Sequence, residues 1–281
     1  MTAPVLVTGG TGTLGRLVVP RLCAAGRDVR VLSRTPHPSR AGVDYVIGDI
    51  STGMGLEAAV SGVDTIVHLA GSAKGDDEKT SHLVRAALAG GRPHLVYISV
   101  VGADRIPIVS GIDRAAFGYY AAKLASERII RESGLPFTIL RATQFQESML
   151  AVAKAMTRMP VVPTPVGSFQ PIAAGEVADR LVELALGSPA GLVAEMGGPR
   201  TYAMADLMRD YLKATDRRRP ILSVKVPGGA SRALRAGGNL TPSHAVGRRT
   251  WEELLAEDAA GAGAGSEAGA GGGGSAGSTT R

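Results

Sequence analysis

A glycine-rich turn near the start of the chain constrains its fold more than any other stretch. Val5-Leu6-Val7 leads into Thr8-Gly9-Gly10-Thr11-Gly12-Thr13-Leu14-Gly15, and Leu17-Val18-Val19 follows the turn. A short β-branched run, closely spaced glycines and an apolar helical segment are typical of a strand–turn–helix unit, in which the backbone approaches a pyrophosphate at the helix N-terminus. The stretch therefore predicts a dinucleotide site. The alternative interpretation is a tight turn whose glycines only supply positive φ angles.

The segments after this turn alternate between strand-like and helix-like patterns. Strands are predicted over 28–32, 43–47, 64–69, 94–99 and 136–141. Helices are predicted over 54–60, 76–89 and 119–132. Strands that alternate with helices at this spacing indicate an α/β fold with a doubly wound, mostly parallel Rossmann sheet.

The pattern beyond this sheet predicts a small C-terminal lobe that covers the substrate. It contains a helix with Met149 and Met156, a helix over 175–186, and short strands over 192–196 and 221–226. We expect one NAD(P)-binding domain over residues 1–255, with its dinucleotide part over about 1–145 and its substrate lobe over about 146–255. Residues 256–281 are mostly Ala, Gly and Ser and cannot bury apolar area, so we expect them to be disordered.

Composition excludes several other classes of protein. The formal charge is +6, but the basic residues are scattered and aromatic residues make up only 4%, so we expect no nucleic-acid partner. No apolar run is long enough to span a membrane and no leader pattern is present, which favours a cytoplasmic protein without a membrane partner. Cys23 is the only cysteine, so no cysteine-built metal site is expected, and no other metal site is indicated.

The end of the second strand predicts which dinucleotide binds. An NAD-type site carries an acidic residue there for the ribose 2′-hydroxyl, but this chain has Ser33 and Arg34. A guanidinium at this place favours binding of a cofactor with a 2′-phosphate over one without it by about 1.5–3 kcal/mol, or one to two decades in affinity. The alternative is that Arg34 is simply a surface residue after the strand. Asp49 follows the third strand, where it either accepts from the adenine amino group or caps the next helix. Ala70-Gly71 offers small residues where the cofactor would pass.

A tyrosine and a lysine form the candidate catalytic pair. Tyr119 and Lys123 are four residues apart on a predicted helix and therefore share one face. An ammonium about 4–6 Å from a phenol lowers the phenol's pKa by about 1–3 units, which suits proton donation to a carbonyl oxygen. Ser99, at the end of the fifth strand, would hydrogen-bond the same oxygen. The alternative is an exposed helix face on which Tyr119 packs against its neighbours.

In five stretches over about residues 3–255, the chain resembles the NmrA-like, atypical short-chain dehydrogenases/reductases. These stretches are the glycine turn, Gly48-Asp49, Tyr97-Ile98-Ser99-Val100-Val101-Gly102, Tyr119-Tyr120-Ala121-Ala122-Lys123-Leu124 and Leu140-Arg141-Ala142-Thr143-Gln144-Phe145. The resemblance implies Ser99, Tyr119 and Lys123 as the active triad, and Gln144 and Phe145 as substrate contacts. It also implies that NADP(H), in preference to NAD(H), contacts Gly9, Thr11, Gly12, Thr13, Leu14, Gly15, Ser33, Arg34, Asp49, Ile50, Leu69, Ala70, Gly71, Lys123, Ala142 and Thr143.

Two departures from the family pattern bear on catalysis. The wider superfamily often has an asparagine before Ala-Gly, but this chain has Leu69 there and no asparagine before Asn239. His82 stands about where the superfamily has a helix asparagine, so the usual four-residue proton relay is not available.

These observations predict an NADPH-dependent reductase of a small carbonyl, enone or quinone-like compound. The main alternative is a dinucleotide-binding redox sensor that regulates a partner without turnover, which some relatives are. A non-redox enzyme such as an isomerase or dehydratase is a third interpretation, because fold does not fix chemistry. We expect a monomer or a homodimer with a small-molecule substrate.

Overall fold

The computed structural model describes residues 3–71 and 75–267, in which the chain forms eleven strands and nine α-helices. The strands are β1 (Val5–Thr8), β2 (Val29–Ser33), β3 (Val43–Ile47), β4 (Thr65–His68), β5 (His94–Val100), β6 (Phe137–Ala142), β7 (Val162–Pro165), β8 (Ser168–Phe169), β9 (Gly191–Leu192), β10 (Tyr202–Ala203) and β11 (Ile221–Val224). The helices are α1 (Gly15–Ala24), α2 (Leu56–Val60), α3 (Asp76–Ala89), α4 (Gly111–Glu132), α5 (Gln146–Met156), α6 (Ala174–Leu186), α7 (Met204–Ala214), α8 (Gly229–Arg235) and α9 (Trp251–Glu267).

Seven strands form one parallel sheet in the order β3-β2-β1-β4-β5-β6-β9. The strand order reverses direction between β1 and β4, and in sheets of this kind ligands bind at the carboxyl ends beside such a reversal. The central strands are buried on both faces, which explains why β1, β4 and β5 read as nearly continuous β-branched and apolar runs.

Helices cover both faces of this sheet. Val18 and Leu22 of α1 pack with Leu181 of α6 against one face. Residues of α2, α3 and α4, such as Leu83 and Ile130, pack against the other face. The predicted doubly wound, mostly parallel Rossmann sheet is therefore confirmed.

The C-terminal part of the chain is divided differently from the prediction. Helices α5, α7 and α9 pack around the fully buried Trp251 and form a small lobe. Two elements beyond the predicted boundary at about residue 146 lie with the sheet, since α6 packs on the central sheet and β9 pairs with β6. Helix α9 continues to Glu267, into the stretch 256–281 for which disorder is expected. Residues 268–281 lie outside the described residues.

Two element boundaries also differ from the prediction. Helix α4 begins at Gly111, not at Tyr119, because the Ser110 hydroxyl accepts from the backbone of Asp113 while the Asp113 carboxylate accepts from the backbone of Ser110. This reciprocal capping fixes a helix start that the Gly- and Pro-containing sequence conceals. The strand predicted over 192–196 is reduced to Gly191–Leu192 and a single bridge between Met196 and Ala142.

Candidate functional site

A cleft of about 410 Å³ opens at the carboxyl ends of β1, β2 and β4. The lining residues are Thr8, Gly9, Thr11, Gly12, Leu32, Ser33, Arg34, Thr35, Gly48, Asp49, Ile50, Ser51, Ala70, Gly71 and Lys79. The predicted cofactor residues among them are Gly9, Thr11, Gly12, Ser33, Arg34, Asp49, Ile50, Ala70 and Gly71. The structure thus brings together residues from four separate parts of the sequence at the strand-order reversal.

The glycine turn makes a backbone cradle at one end of this cleft. Gly9 has a φ of +71°, and a Cβ there would lie 2.7 Å from the backbone nitrogen of Ala70. A Cβ on Gly15 would overlap the carbonyl oxygen of Gly9, so helix α1 can pack this tightly only with glycine at its start. Leu14 precedes the helix without a side-chain cap, and the first turn holds no acidic residue. The N–H groups of this turn suit phosphate oxygens, so the residues fit a dinucleotide.

Three polar residues line the opposite end of the cleft. Arg34 is exposed directly after β2, whereas Ser33 is buried and accepts from the backbone nitrogen of Thr35. Asp49 accepts from the backbone nitrogen of Ser51 at 2.8 Å and closes the turn after β3. The alternative in which Asp49 caps a helix is wrong, because α2 begins only at Leu56. A guanidinium without a carboxylate at the end of β2 is the arrangement that suits a 2′-phosphate.

Two cations beside the cleft were missed by sequence reasoning. Lys79 reaches the cleft from the first turns of α3, with its Nζ 3.7 Å from Asp76 Oδ1. Arg16 donates from Nε to the carbonyl oxygen of Thr11 at 2.8 Å, within the glycine turn. The strand order could have identified Lys79, because β4 lies beside β1 and the helix that follows β4 starts at the same edge.

A buried histidine joins the two strands on either side of the reversal. His68 Nδ1 lies 2.7 Å from Thr8 Oγ1, and its ring stacks on Tyr97 with centroids 5.3 Å apart. Burial, with a smaller contribution from the nearby Lys123, lowers the pKa of His68 to about 3. The imidazole is therefore neutral at physiological pH and links β1 to β4 without adding positive charge below the cleft.

Tyr119 and Lys123 lie one turn apart on α4, as predicted. Lys123 is buried, and its Nζ lies 5.6 Å from the ring centroid of Tyr119 and 4.8 Å from that of Tyr97. The ammonium donates to the carbonyl oxygen of Ile98 at 3.2 Å. A Cβ on Gly71 would lie 3.3 Å from Lys123 Nζ, which places the ammonium next to the cleft. Tyr119 is 38% exposed, so part of its side chain faces the surface.

The predicted effect of Lys123 on Tyr119 was only partly correct. Burial raises the pKa of the Tyr119 phenol above its ordinary value of 10.0. The positive charge of Lys123 lowers this pKa, but its effect is smaller than that of burial. The phenol therefore stays protonated at neutral pH. In this arrangement Tyr119 can donate a proton but is not a ready base.

Ser99, the third member of the predicted triad, makes its side-chain hydrogen bond to Glu127 and not to Tyr119 or Lys123. Ser99 Oγ donates to Glu127 Oε1 at 2.5 Å, and Arg141 forms two further hydrogen bonds to the same carboxylate, at 2.7 and 2.8 Å. Arg141 also donates to Asp104 at 2.8 Å. Hydrogen bonding to Glu127 is the main cause that raises the pKa of Arg141. Ser99 therefore belongs to a buried ion-pair network.

The remaining residues predicted to contact cofactor or substrate differ in their surroundings. Thr143 Oγ1 donates to the carbonyl oxygen of Gln170 at 2.5 Å, and Ala142 is buried, so these two side chains hold β6 in place. Gln144 donates from Nε2 to the Tyr120 hydroxyl at 3.2 Å. Buried Leu14 and the partly buried Leu69 and Phe145 pack against the core, whereas Thr13 is exposed at the turn.

His82 does not replace the missing asparagine near Tyr119. Its Nδ1 lies 3.1 Å from the carbonyl oxygen of Ile50, on the side of α3 that faces α2. On α3, Asp76 lies beside Lys123, with its Oδ2 3.3 Å from the ammonium. Thr80 on the same helix donates from its hydroxyl to Ser126 of α4 at 3.0 Å.

Other parts of the surface offer no comparable arrangement. A larger hollow of about 760 Å³ is lined by Thr157, Arg158 and residues 216–219, and it holds neither a glycine turn nor a tyrosine–lysine pair. Among residues 3–71 and 75–267, no group of three or more His, Cys, Asp or Glu side chains could hold a metal ion. Over the same residues, no helix has the length and apolar character required to cross a membrane.

Comparison with known proteins agrees with this geometry. A family model described as NAD(P)H-binding matches residues 9–188. A (4-alkanoyl-5-oxo-2,5-dihydrofuran-3-yl)methyl phosphate reductase of Streptomyces griseus is 32% identical over 162 residues, which are 56% of this chain and 54% of the relative. An isoflavone reductase homologue of Zea mays is 29% identical over 235 residues, or 79% of this chain and 68% of the relative.

Solved structures share the fold over most of the chain. An NADPH-dependent quinone oxidoreductase of Escherichia coli, complexed with NADPH, superposes with a TM-score of 0.73 at 19% identity and covers 90% of this chain and 99% of that one. The chain spans about half the length of the S. griseus reductase, so that protein's activity is not carried over. Since the family model matches more than half of the sequence, the protein belongs to the NAD(P)H-binding family, within the NmrA-like atypical short-chain dehydrogenases/reductases.

Proposed function

We propose that the protein is an NADPH-dependent reductase of a small carbonyl, enone or quinone-like compound. The observation that carries the proposal is the partly exposed Tyr119 side chain beside the buried Lys123 ammonium, which lies next to a cleft with a backbone phosphate cradle. An acid held beside a dinucleotide site is the arrangement that a reductase requires. The S. griseus and E. coli relatives, which are named as a reductase and a quinone oxidoreductase, support the proposal of a reductase.

In the proposed reaction, residues of the glycine turn, Arg34, Lys123 and Tyr119 have separate roles. Bound NADPH supplies the hydride. The N–H groups of the glycine turn would hold the pyrophosphate, and Arg34 would pair with the 2′-phosphate. Lys123 would donate to a ribose hydroxyl and fix the position of the nicotinamide half. Tyr119 donates its proton to the substrate oxygen as negative charge develops there, which contributes typically about 10²–10⁴-fold to the rate.

A second candidate is a dinucleotide-binding regulator without turnover. The position of Ser99 favours it, because the buried network with Glu127 and Arg141 leaves Tyr119 without the serine that would share a substrate oxygen. A regulator of this kind binds the cofactor equally well, but it does not oxidise NADPH. The buried Lys123 beside a partly exposed tyrosine favours the enzyme, because binding alone does not require a proton donor.

The decisive experiment measures NADPH oxidation by the full chain against quinones, enones and aldehydes, in parallel with calorimetry of NADPH and NADH. We expect turnover with at least one compound class and tighter binding of NADPH. Binding without oxidation across the panel, together with a protein partner retained in only one redox state of the cofactor, would establish the regulator instead.

A further inference from the structure

A buried carboxylate at the start of α3 holds two lysines from different helices. Asp76 is 2% exposed, and its Oδ2 lies 3.3 Å from Lys123 Nζ on α4. Its other oxygen, Oδ1, lies 3.7 Å from Lys79 Nζ on α3. A Cβ on Gly71 would lie 3.3 Å from both Asp76 Oδ2 and Lys123 Nζ, so the glycine leaves room for this arrangement. One carboxylate cannot neutralise two ammonium groups, so the three side chains together keep one positive charge.

Lys79 is the lysine of this group that lines the cleft. Its side chain is 17% exposed. Over residues 3–71 and 75–267, the charged residues that line the cleft are Arg34, Asp49 and Lys79. Asp49 already accepts a hydrogen bond from the backbone within its own turn. Asp77 and Glu78, which also lie in the first turn of α3, are not part of the lining. The cleft therefore offers two cationic side chains to an anionic ligand.

The strand order places these two cations on opposite sides of the glycine turn. Arg34 follows β2 and Lys79 lies on the helix after β4, while the turn follows β1 between them. Neighbouring strands are about 4.8 Å apart, so β2 and β4 are about 10 Å apart. On the β4 side the chain touches the turn, because a Cβ on Gly9 would lie 2.7 Å from the Ala70 nitrogen. A cofactor whose 2′-phosphate meets Arg34 and whose pyrophosphate lies on the turn therefore presents the pyrophosphate to Lys79.

We propose that Lys79 binds the pyrophosphate of the cofactor, opposite the N–H groups of the glycine turn. Lys79 then sets the affinity for NADPH and NADH alike, because both carry the pyrophosphate, whereas Arg34 sets the choice between them. This inference rests on the cofactor site of the proposed function, but it does not depend on turnover.

The test is isothermal calorimetry of NADPH and NADH with the wild type and with Lys79→Gln. We expect the Kd for both cofactors to rise by the same factor, about tenfold, because a charge-assisted contact is lost. The difference between the two proteins should shrink as NaCl screens that contact. The matched control is Lys154→Gln, which removes another ion-paired lysine, 2.6 Å from Asp258 and outside the cleft lining, and should change neither Kd.

Two results would overturn the proposal. A rise in the Kd for NADPH alone would place Lys79 on the 2′-phosphate. Unchanged values for both cofactors, in a Lys79→Gln protein whose fold is verified by circular dichroism, would remove Lys79 from the site.

A measurement on the wild type covers the case in which Lys79→Gln does not fold. Lysines are acetylated with acetic anhydride in the presence and absence of NADH, and peptide mass spectrometry gives the modified fraction at each position. We expect saturating NADH to protect Lys79 and to leave Lys154, which is 46% exposed, modified to the same extent. Equal acetylation of Lys79 with and without NADH would contradict the proposal.

The same calorimetry separates this inference from the proposed function. If the wild type binds neither NADPH nor NADH, the proposed reductase fails, and the role of Lys79 fails with it. If the wild type binds both and Lys79→Gln binds them equally well, only the role of Lys79 fails.

Discussion

The two halves of the candidate site lie on the same sheet edge but are built differently. In the half around β1 and β2, which we call the dinucleotide half, backbone geometry makes the site: Gly9 approaches Ala70, and Gly15 lies against the Gly9 carbonyl. In the half around β5, α4 and β6, which we call the catalytic half, buried side chains determine what each residue can do. Ser99 and Arg141, for example, are held by the Glu127 carboxylate.

This difference explains why one half can be predicted from sequence better than the other. A glycine turn is encoded locally, so its spacing predicts its geometry. An ion-pair network is assembled from positions far apart in the chain, and a sequence pattern does not show which partners a polar side chain will meet. The predictions below test this contrast.

The largest effect is expected from breaking the network of the catalytic half. Glu127→Gln leaves Arg141 buried, with Asp104 as a partly exposed partner. Losing one member of a buried pair costs about 3–5 kcal/mol, so the free energy of unfolding should fall by that amount in denaturant titrations. The matched control is Asp258→Asn, which breaks the more exposed pair with Lys154 and should cost about 0–1 kcal/mol. Equal losses in both variants would contradict the assigned role of Glu127.

Removing the phenolic proton should have the next largest effect. Tyr119→Phe should lower kcat at least about a hundredfold, because the general acid is lost, while NADPH affinity changes little. The control is Tyr120→Phe, because the Tyr120 hydroxyl accepts from Gln144 and the side chain is buried. Steady-state kinetics with the best substrate of the panel measures both variants. An unaltered rate in Tyr119→Phe would assign the proton to water and remove the tyrosine from the mechanism.

The expected effect of replacing Ser99 follows from its hydrogen bond to Glu127. Ser99→Ala removes a hydrogen bond to a charged carboxylate and should lower the free energy of unfolding by about 1.5–3 kcal/mol. The kcat of the folded variant should stay within about tenfold of the wild type, because the Ser99 hydroxyl is already bonded to Glu127. If kcat fell as far as in Tyr119→Phe with stability unchanged, the three-residue triad predicted from the family resemblance would be correct after all.

These cases show what the sequence could and could not predict. The period and spacing of apolar runs were enough for the parallel sheet, and the glycine turn was enough for the cleft. The start of α4 was missed because Ser110 and Asp113 lie in a stretch with Pro and Gly, although Ser-x-x-Asp is itself a capping pattern. The role of Ser99 could not be predicted, because Glu127 contacts it across 28 residues of sequence. The Asp76–Lys123 pair depends in the same way on the packing of α3 against α4.

In the dinucleotide half, a single side chain should set cofactor preference. Arg34→Gln should raise the Kd for NADPH about ten- to a hundredfold and leave the Kd for NADH unchanged, because only NADPH carries the 2′-phosphate. Isothermal calorimetry measures both values. The control is Arg92→Gln, since Arg92 donates to the carbonyl oxygen of Gly134, outside the cleft lining. An equal loss of affinity for both cofactors would mean that Arg34 contacts a part that NADPH and NADH share.

The smallest effect is expected at Gly118, one of two helical glycines, one in each half, that can be compared. Nothing lies within 4 Å of a Cβ added to Gly118 in α4, so Gly118→Ala should raise the free energy of unfolding by about 0.5–1 kcal/mol. Gly15→Ala should destabilise the protein and weaken NADPH binding, because its Cβ would overlap the Gly9 carbonyl. Opposite signs in thermal unfolding would confirm that backbone contact constrains Gly15 but not Gly118. A loss of turnover in a stabilised Gly118→Ala would instead show that catalysis depends on the α4 backbone beside Tyr119.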